Sequence, residues 1–242
     1  GTNGFSIQGI TPGDLSGISV GDAGDVNHDN ISDIVIGATS VTNGTGAVYV
    51  VFGASGIGQS GTFLLTNLNG TNGFVISGLN PGDRLGCAVR TIGDFNRDGI
   101  SDLFLGACGF NNSAGAGYVI LGARGIGASG IFSLLKLNGR NGFTLLGGAP
   151  GDYAGSSVGA IGDIDGDGRS DFIVGAYGTN NFLGVPYVIF GNGLLTLSES
   201  LSLSLALSRT LSASSVSMLM SASNSYRGTR SPSGELSLSN SY

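Results

Sequence analysis

The sequence is poor in charge, in histidine and in cysteine, and it has no long helical period. Only 11% of its 242 residues are Asp, Glu, Lys or Arg, His28 is the single histidine, and Cys87 and Cys108 are the only cysteines. Without a Cys or His cluster, a zinc centre is excluded. Ten basic residues against sixteen acidic ones, with a pI near 4.5, point away from nucleic acid, whose phosphates need a basic surface. No nucleophile elbow, phosphate-cradling loop or isolated carboxylate pair is present, so no enzyme is expected. No apolar stretch runs long enough without interruption to span a membrane as a helix. No signal peptide is visible either; if the protein is secreted, this is its mature part.

What the chain has instead is glycine, 46 residues of it, and a repeat. "DVNHDNISD" at 25–33, "DFNRDGISD" at 94–102 and "DIDGDGRSD" at 163–171 are each 69 residues from the next. Phe5, Phe74 and Phe143 of "NGF", Asp14, Asp83 and Asp152 of "PGD", and Tyr49, Tyr118 and Tyr187 keep the same step. The chain therefore divides into three copies, 1–69, 70–138 and 139–193, followed by a segment 194–242. Within a copy the apolar runs are short, partly alternating and punctuated by glycine, as in "SGISVGDA", "DIVIGAT" and "AVYVVFG", which predicts an all-β fold.

Scarce charges are informative where they gather. Ten of the sixteen acidic residues fall in the three nine-residue runs, and three more are the "PGD" aspartates. Carboxylates packed this closely repel unless a cation sits among them. Side-chain oxygens are offered at positions 1, 3, 5 and 9: Asp25, Asn27, Asp29 and Asp33; Asp94, Asn96, Asp98 and Asp102; Asp163, Asp165, Asp167 and Asp171. The carbonyls of Ile31, Ile100 and Arg169, at position 7, add one more each. Position 6 is Asn30, Gly99 or Gly168, types that accept the left-handed backbone needed to wrap a chain round an ion. An oxygen-only set of this size suits three Ca²⁺ sites. A helical EF-hand is disfavoured because its closing glutamate is missing and strand-like sequence follows each run.

The order "GDLSGISVGDAGDVNHDNISDIVIGA" then "GAVYVVFG", in register in every copy, resembles the FG-GAP repeat of integrin α-subunit β-propellers and of many secreted microbial and algal proteins. The likeness covers roughly residues 1–193. It implies a four-stranded blade per repeat, with calcium in the loop joining two strands and serving structure more than chemistry. One departure is that the proline of "GAP" is replaced by Thr39, Cys108 and Tyr177.

The phase of the blades sets up the functional expectation. The family's blade order implies that the opening "NGF" segment of one copy supplies the outer strand of the preceding blade, so Gly73–Gly78 and Gly142–Gly147 are expected to close blades one and two. Residues 4–9 are then a strand without a blade, and the third blade is one strand short. Three blades do not close a ring alone, and open edges attract other chains. The segment 194–242 alternates Leu195, Leu197, Leu201, Leu203, Leu205, Leu207 and Leu211 with Ser or Thr, the period of an extended strand donated or self-paired; a Ser-rich glycosylated stalk is the alternative. The primary reading is an extracellular, calcium-stabilised structural protein that joins copies of itself head to tail by strand complementation, forming a fibre or surface assembly. The alternative is an integrin-like adhesion module for a protein or glycan ligand, or a fragment of a longer propeller.

Smaller signals concern location. Cys87 and Cys108 flank the second loop almost symmetrically, so they either face one another across a hairpin as a disulfide, at about 4.5–5.5 Å, or stay as buried thiols. A disulfide implies an oxidising compartment. Asn43, Asn69 and Asn111 begin glycosylation sequons in glycine-rich loops. His28, at position 4 of the first loop, reads as a solvent-facing spacer.

Overall fold

A computed structural model describes residues 3–191. Repeat one holds β1 (Ser6–Gln8), β2 (Ser16–Gly24), β3 (Asp33–Ala38), β4 (Ala47–Val51) and β5 (Thr62–Leu64). Repeat two holds β6 (Gly73–Ser77), β7 (Leu85–Gly93), β8 (Asp102–Ala107), β9 (Ala116–Ile120) and β10 (Ile131–Phe132). Repeat three adds β11 (Gly142–Leu146), β12 (Ala154–Gly162), β13 (Asp171–Ala176) and β14 (Val185–Ile189). The fold is all-β and propeller-like, and its blades do not close into a ring among the described residues. The segment 194–242 lies outside those residues.

Each blade is an antiparallel meander. Its valine- and isoleucine-rich middle strands, "DIVIGA" and "AVYVV" in blade one, lie side by side, with β2 on one flank of β3 and β4 on the other. β6 then pairs antiparallel with β4, from Ala47 opposite Ser77 to Val51 opposite Gly73. β11 does the same on β9, from Gly142 opposite Ile120 to Leu146 opposite Ala116. Among the described residues the third blade has β12, β13 and β14. The phase read from the sequence is therefore the phase observed.

The stretch "GTFLLTNLN" precedes the second copy. It forms β5 and a 3₁₀ turn at Leu65–Asn67, and β5 pairs parallel with β1. β10, its counterpart one repeat on, runs parallel to β6, so blade one is a five-stranded sheet. Among the described residues β1 thus pairs with β5 alone, in a two-stranded sheet apart from the blades.

The blades are held by what packs between them. β7 lies against β2, and β12 lies against β7. Val35, Val50, Phe74 and Ile76 of the first sheet meet Leu85, Val89, Leu103 and Leu105 of the second. Phe95, Phe104 and Phe143 meet Phe172 and Val174 further on. Burying one such side chain is worth roughly 1.5–3 kcal/mol. Close approach explains two glycines: a Cβ on Gly46 or Gly115 would strike the backbone of Leu85 or Ala154.

Candidate metal centre

The three acidic runs are the loops between β2 and β3, β7 and β8, and β12 and β13. All three are wound the same way. The position-1 carboxylate takes the amides of positions 5 and 6: Asp29 and Asn30 donate to Asp25 at 2.9 and 2.8 Å, and Asp98 and Gly99 donate to Asp94 at 2.9 and 2.8 Å. Position 5 in turn accepts the amide of position 7, from Ile31 to Asp29 and from Ile100 to Asp98, both at 2.9 Å. Position 6 is left-handed, with φ of 67° at Asn30, 84° at Gly99 and 85° at Gly168. Position 4 is left-handed too, at His28, Arg97 and Gly166, which the sequence reading did not foresee.

Position 9 does something further. Asp33, Asp102 and Asp171 are buried at the first residue of β3, β8 and β13. Each accepts an amide from position 2 of its own loop and another from a glycine twenty residues on: Val26 and Gly53 at 3.0 and 2.9 Å, Phe95 and Gly122 both at 2.8 Å, Ile164 and Gly191 at 2.8 and 2.6 Å. This aspartate buckles the loop to the glycine after the third strand of the blade. Burial pushes the Asp102 carboxyl up to about 7, although the Gly122 and Phe95 amides pull it down. Burial likewise takes Asp33 up to about 6 against the Gly53 and Val26 amides. The only trace in the sequence is an aspartate leading an apolar strand with a glycine twenty residues on in each copy, a spacing that does not by itself indicate contact.

The donor set can be tested against a cation. In the third loop, carboxylate oxygens of Asp163, Asp165 and Asp171 lie within 4.8 Å of one another. That is a convergent group of hard oxygens, which fits Ca²⁺ or Mg²⁺ and not a soft metal. The Gly168 amide, helped by those of Gly166 and Asp167, holds Asp163 below its ordinary value and so favours the charged form a cation needs. Asp167 is drawn aside by the Arg169 guanidinium at 2.9 Å. In the first two loops position 3 is asparagine, and the side-chain amides of Asn27 and Asn96 donate to Asp29 and Asp98 at 2.9 Å.

The remaining sequence-marked residues fall as follows. Cys87 and Cys108 are bonded, with Cα atoms 6.3 Å apart. They are not ladder partners as the hairpin argument assumed: Cys87 sits in the irregularity between the Leu85 and Val89 pairings, and Cys108 follows the end of β8. Asn43, Asn69 and Asn111 are all exposed. His28 is partly exposed, in a loop whose Asp25 carbonyl accepts the Ser101 amide of blade two at 3.2 Å.

Known proteins resemble this chain over the segments that carry these loops. A profile of the FG-GAP repeat matches residues 18–51 and 154–189. Integrin alpha-5 of Xenopus laevis is 28% identical over 209 residues, covering 82% of this chain and 18% of that protein. Integrin alpha-2 of Bos taurus is 31% identical over 159 residues, 64% of this chain and 12% of the relative. Integrin alpha-M of Mus musculus is 32% identical over 102 residues, 41% of this chain and 8% of the relative. The chain thus spans less than a fifth of the length of these integrins. It carries FG-GAP repeats of the integrin α kind.

Proposed function

We propose that this chain of FG-GAP repeats is a calcium-stabilised structural module of the extracellular or cell-surface space that joins copies of itself head to tail. The observation that carries the reading is the strand count. β4 and β9 each receive an outer strand, whereas among the described residues β14 receives none and β1 pairs with β5 alone. Shifting the β4–β6 register by the repeat would set Val185 opposite Gln8 of the next copy and Ile189 opposite its Gly4. The amides that face this edge are fixed by the same shift. Phe52 donates to the Asn72 carbonyl and Gly78 to the Gly46 carbonyl, so even-numbered residues of β4 exchange with β6. On β14 these are Val188 and Pro186, the latter without an amide to donate, and on β1 they are Phe5 and Ile7.

In this reading the repeats 1–69, 70–138 and 139–193 each hold one Ca²⁺. The ligands are the side chains at positions 1, 3, 5 and 9 of the loops with the carbonyls of Ile31, Ile100 and Arg169. The ion would neutralise carboxylates that otherwise repel and so keep the blade edges rigid. The Cys87–Cys108 bond supports an oxidising location, and glycans at Asn43, Asn69 and Asn111 would fit it.

A second reading is favoured by the integrin relatives and by the small share of them that the chain spans. The three blades are then part of a larger adhesion propeller for a protein or glycan ligand. Negative-stain electron microscopy of the purified chain, in calcium and then in chelator, separates the two. Regular assemblies that fray in chelator are expected from head-to-tail joining; compact single particles in both conditions would transfer the conclusion to the adhesion module.

A further inference from the structure

The joint between neighbouring blades occurs twice among the described residues, and the counterparts of both its halves recur exposed on β2 and on the third blade. In the first joint Arg84 and Leu85 donate to the carbonyls of Gly44 and Thr45 at 2.8 and 3.1 Å, and Ser101 donates to Asp25 at 3.2 Å. In the second, Tyr153 and Ala154 donate to Ser113 and Ala114 at 2.9 and 3.0 Å, and Ser170 donates to Asp94 at 3.2 Å. The sealing is complete at position 2 of the loop and partial at Thr45 and Val158, the counterparts of Ala114 and Val89. Position 2 of the loop is covered by the following blade: Val26 is 0% and Phe95 2% exposed, whereas Ile164 is 55% exposed. Ala114, in the turn before β9, is 1% exposed, and its counterpart Leu183 is 79% exposed. On the opposite face Val89 of β7 is 6% exposed against blade one, and its counterpart Val20 on β2 is 65% exposed. A Cβ on Gly24 or Gly93 would meet Ser101 or Ser170 of the following blade, while nothing lies within 4 Å of that point on Gly162.

We infer that the third blade's Ile164, Phe182 and Leu183 form one half of a blade-on-blade joint whose other half is Leu15, Ile18 and Val20 of a second copy of this chain. The inference rests on the head-to-tail reading and changes where its stability comes from, since the joint becomes a sheet face and not only a strand edge. The observed joints fix its bonds. Leu15 and Ser16 of one copy donate to the carbonyls of Phe182 and Leu183 of the other, and Ser32 donates to Asp163. The two apolar faces differ, so the contact is heterologous: it can close into a ring or propagate. Shape supports a second copy as the occupant because each half already packs against its complement within the chain.

The test uses analytical ultracentrifugation of the full chain in calcium with three variants. Leu183→Asp and Val20→Asp each bury a charge in the joint, at positions exposed in the single chain so that the fold is retained; a thermal melt checks this. Each alone should weaken self-association more than about tenfold. Mixed in equal amounts, the two should form one-to-one pairs through the intact face of each. Val188→Pro removes a β14 amide that faces the open edge and probes only the strand contact. Loss of association with Val188→Pro but not with Leu183→Asp would overturn the face joint and leave strand complementation standing. The converse would keep the joint and remove the strand. A mixture that stays monomeric overturns the joint, and a wild-type chain that is monomeric throughout overturns both, giving these faces to other blades or to residues 192–242.

Discussion

The second and third blades are built from the same template and meet different surroundings. β9 is buried along all five residues between β8 and β11, whereas β14, with Tyr187 in place of Tyr118, is only partly covered. The second loop's Phe95 is packed among Phe143 and Phe172, and Ile164 at the same position of the third loop projects freely. Local winding is the same in both, down to the amides that Asp102 and Asp171 accept. A blade is therefore specified by its own sequence, but its burial is specified by its neighbour. Among the described residues, Ile164 and Leu183 of the third blade are exposed where their counterparts Phe95 and Ala114 are buried.

Removing the cations should break the comparison most severely. At a free concentration a hundred times the dissociation constant, each site adds about 2.7 kcal/mol to stability. Three filled loops would thus add about 8 kcal/mol, lost in chelator. The third loop, with four carboxylates and open to solvent, should loosen first. Calorimetry with calcium and with chelator checks the total, and amide exchange at Gly168 against Gly99 checks the order. An unchanged melting temperature would remove calcium from the account.

Truncating the equivalent side chains tests the same contrast without metal. Phe95→Ala deletes a ring held between two blades and should cost about 3–5 kcal/mol. Ile164→Ala removes an exposed side chain and should fall within about 0.5 kcal/mol of wild type in the monomer. Urea titration of both variants at low protein concentration measures the difference. Equal losses would mean that Ile164 is as covered in solution as Phe95.

The buckle aspartate predicts a smaller, pH-dependent effect. Asp102 is raised by burial to about 7 in the folded chain, above its unfolded value near 3.9. Below about pH 4 both states hold the proton and the contribution is complete. Between about 4 and 7 only the folded state holds it, so stability in chelator should fall as pH rises through this window. Calcium reverses the slope, because the ligand form is the ionised one. Denaturant midpoints from pH 4 to 8, with and without calcium, give the two slopes. Asp102→Asn should flatten the metal-free slope while leaving one buried amide mismatched, at a cost of about 1–3 kcal/mol.

Much of this was legible because the sequence repeats. A single copy of "DFNRDGISD" fits an acidic turn or a cage, but three copies in register with "GA" and "YV" place the loop between strands and fix which segment closes which blade. The parallel pairs β1–β5 and β6–β10 were not legible, since two- or three-residue strands leave no period to read. Nor was the buckle, because Asp33 and Gly53 are brought together only by the meander. The cysteine geometry failed for a related reason: symmetry about the loop centre assumes an unbroken ladder, and β7 and β8 shift register twice.

The smallest predicted effect concerns one residue at which the third blade departs from the other two. Pro186 stands where blade one has Val48 and blade two Gly117, on the side of β14 whose amides face the open edge. Proline donates nothing there, which is a usual way of blunting an edge against indiscriminate pairing. Strand addition in the inherited register would retain the Val188 amide and lose this one. Pro186→Val restores a ladder bond worth about 0.5–1.5 kcal/mol net. The single chain should melt unchanged, because no bond within it is altered. Association through the edge should tighten by up to about tenfold, while a joint made chiefly by the sheet face should respond weakly. Sedimentation of Pro186→Val beside Leu183→Asp therefore apportions the contact between edge and face. A large gain from the proline change would mean that the edge is the stronger half and that Pro186 is there to restrain it.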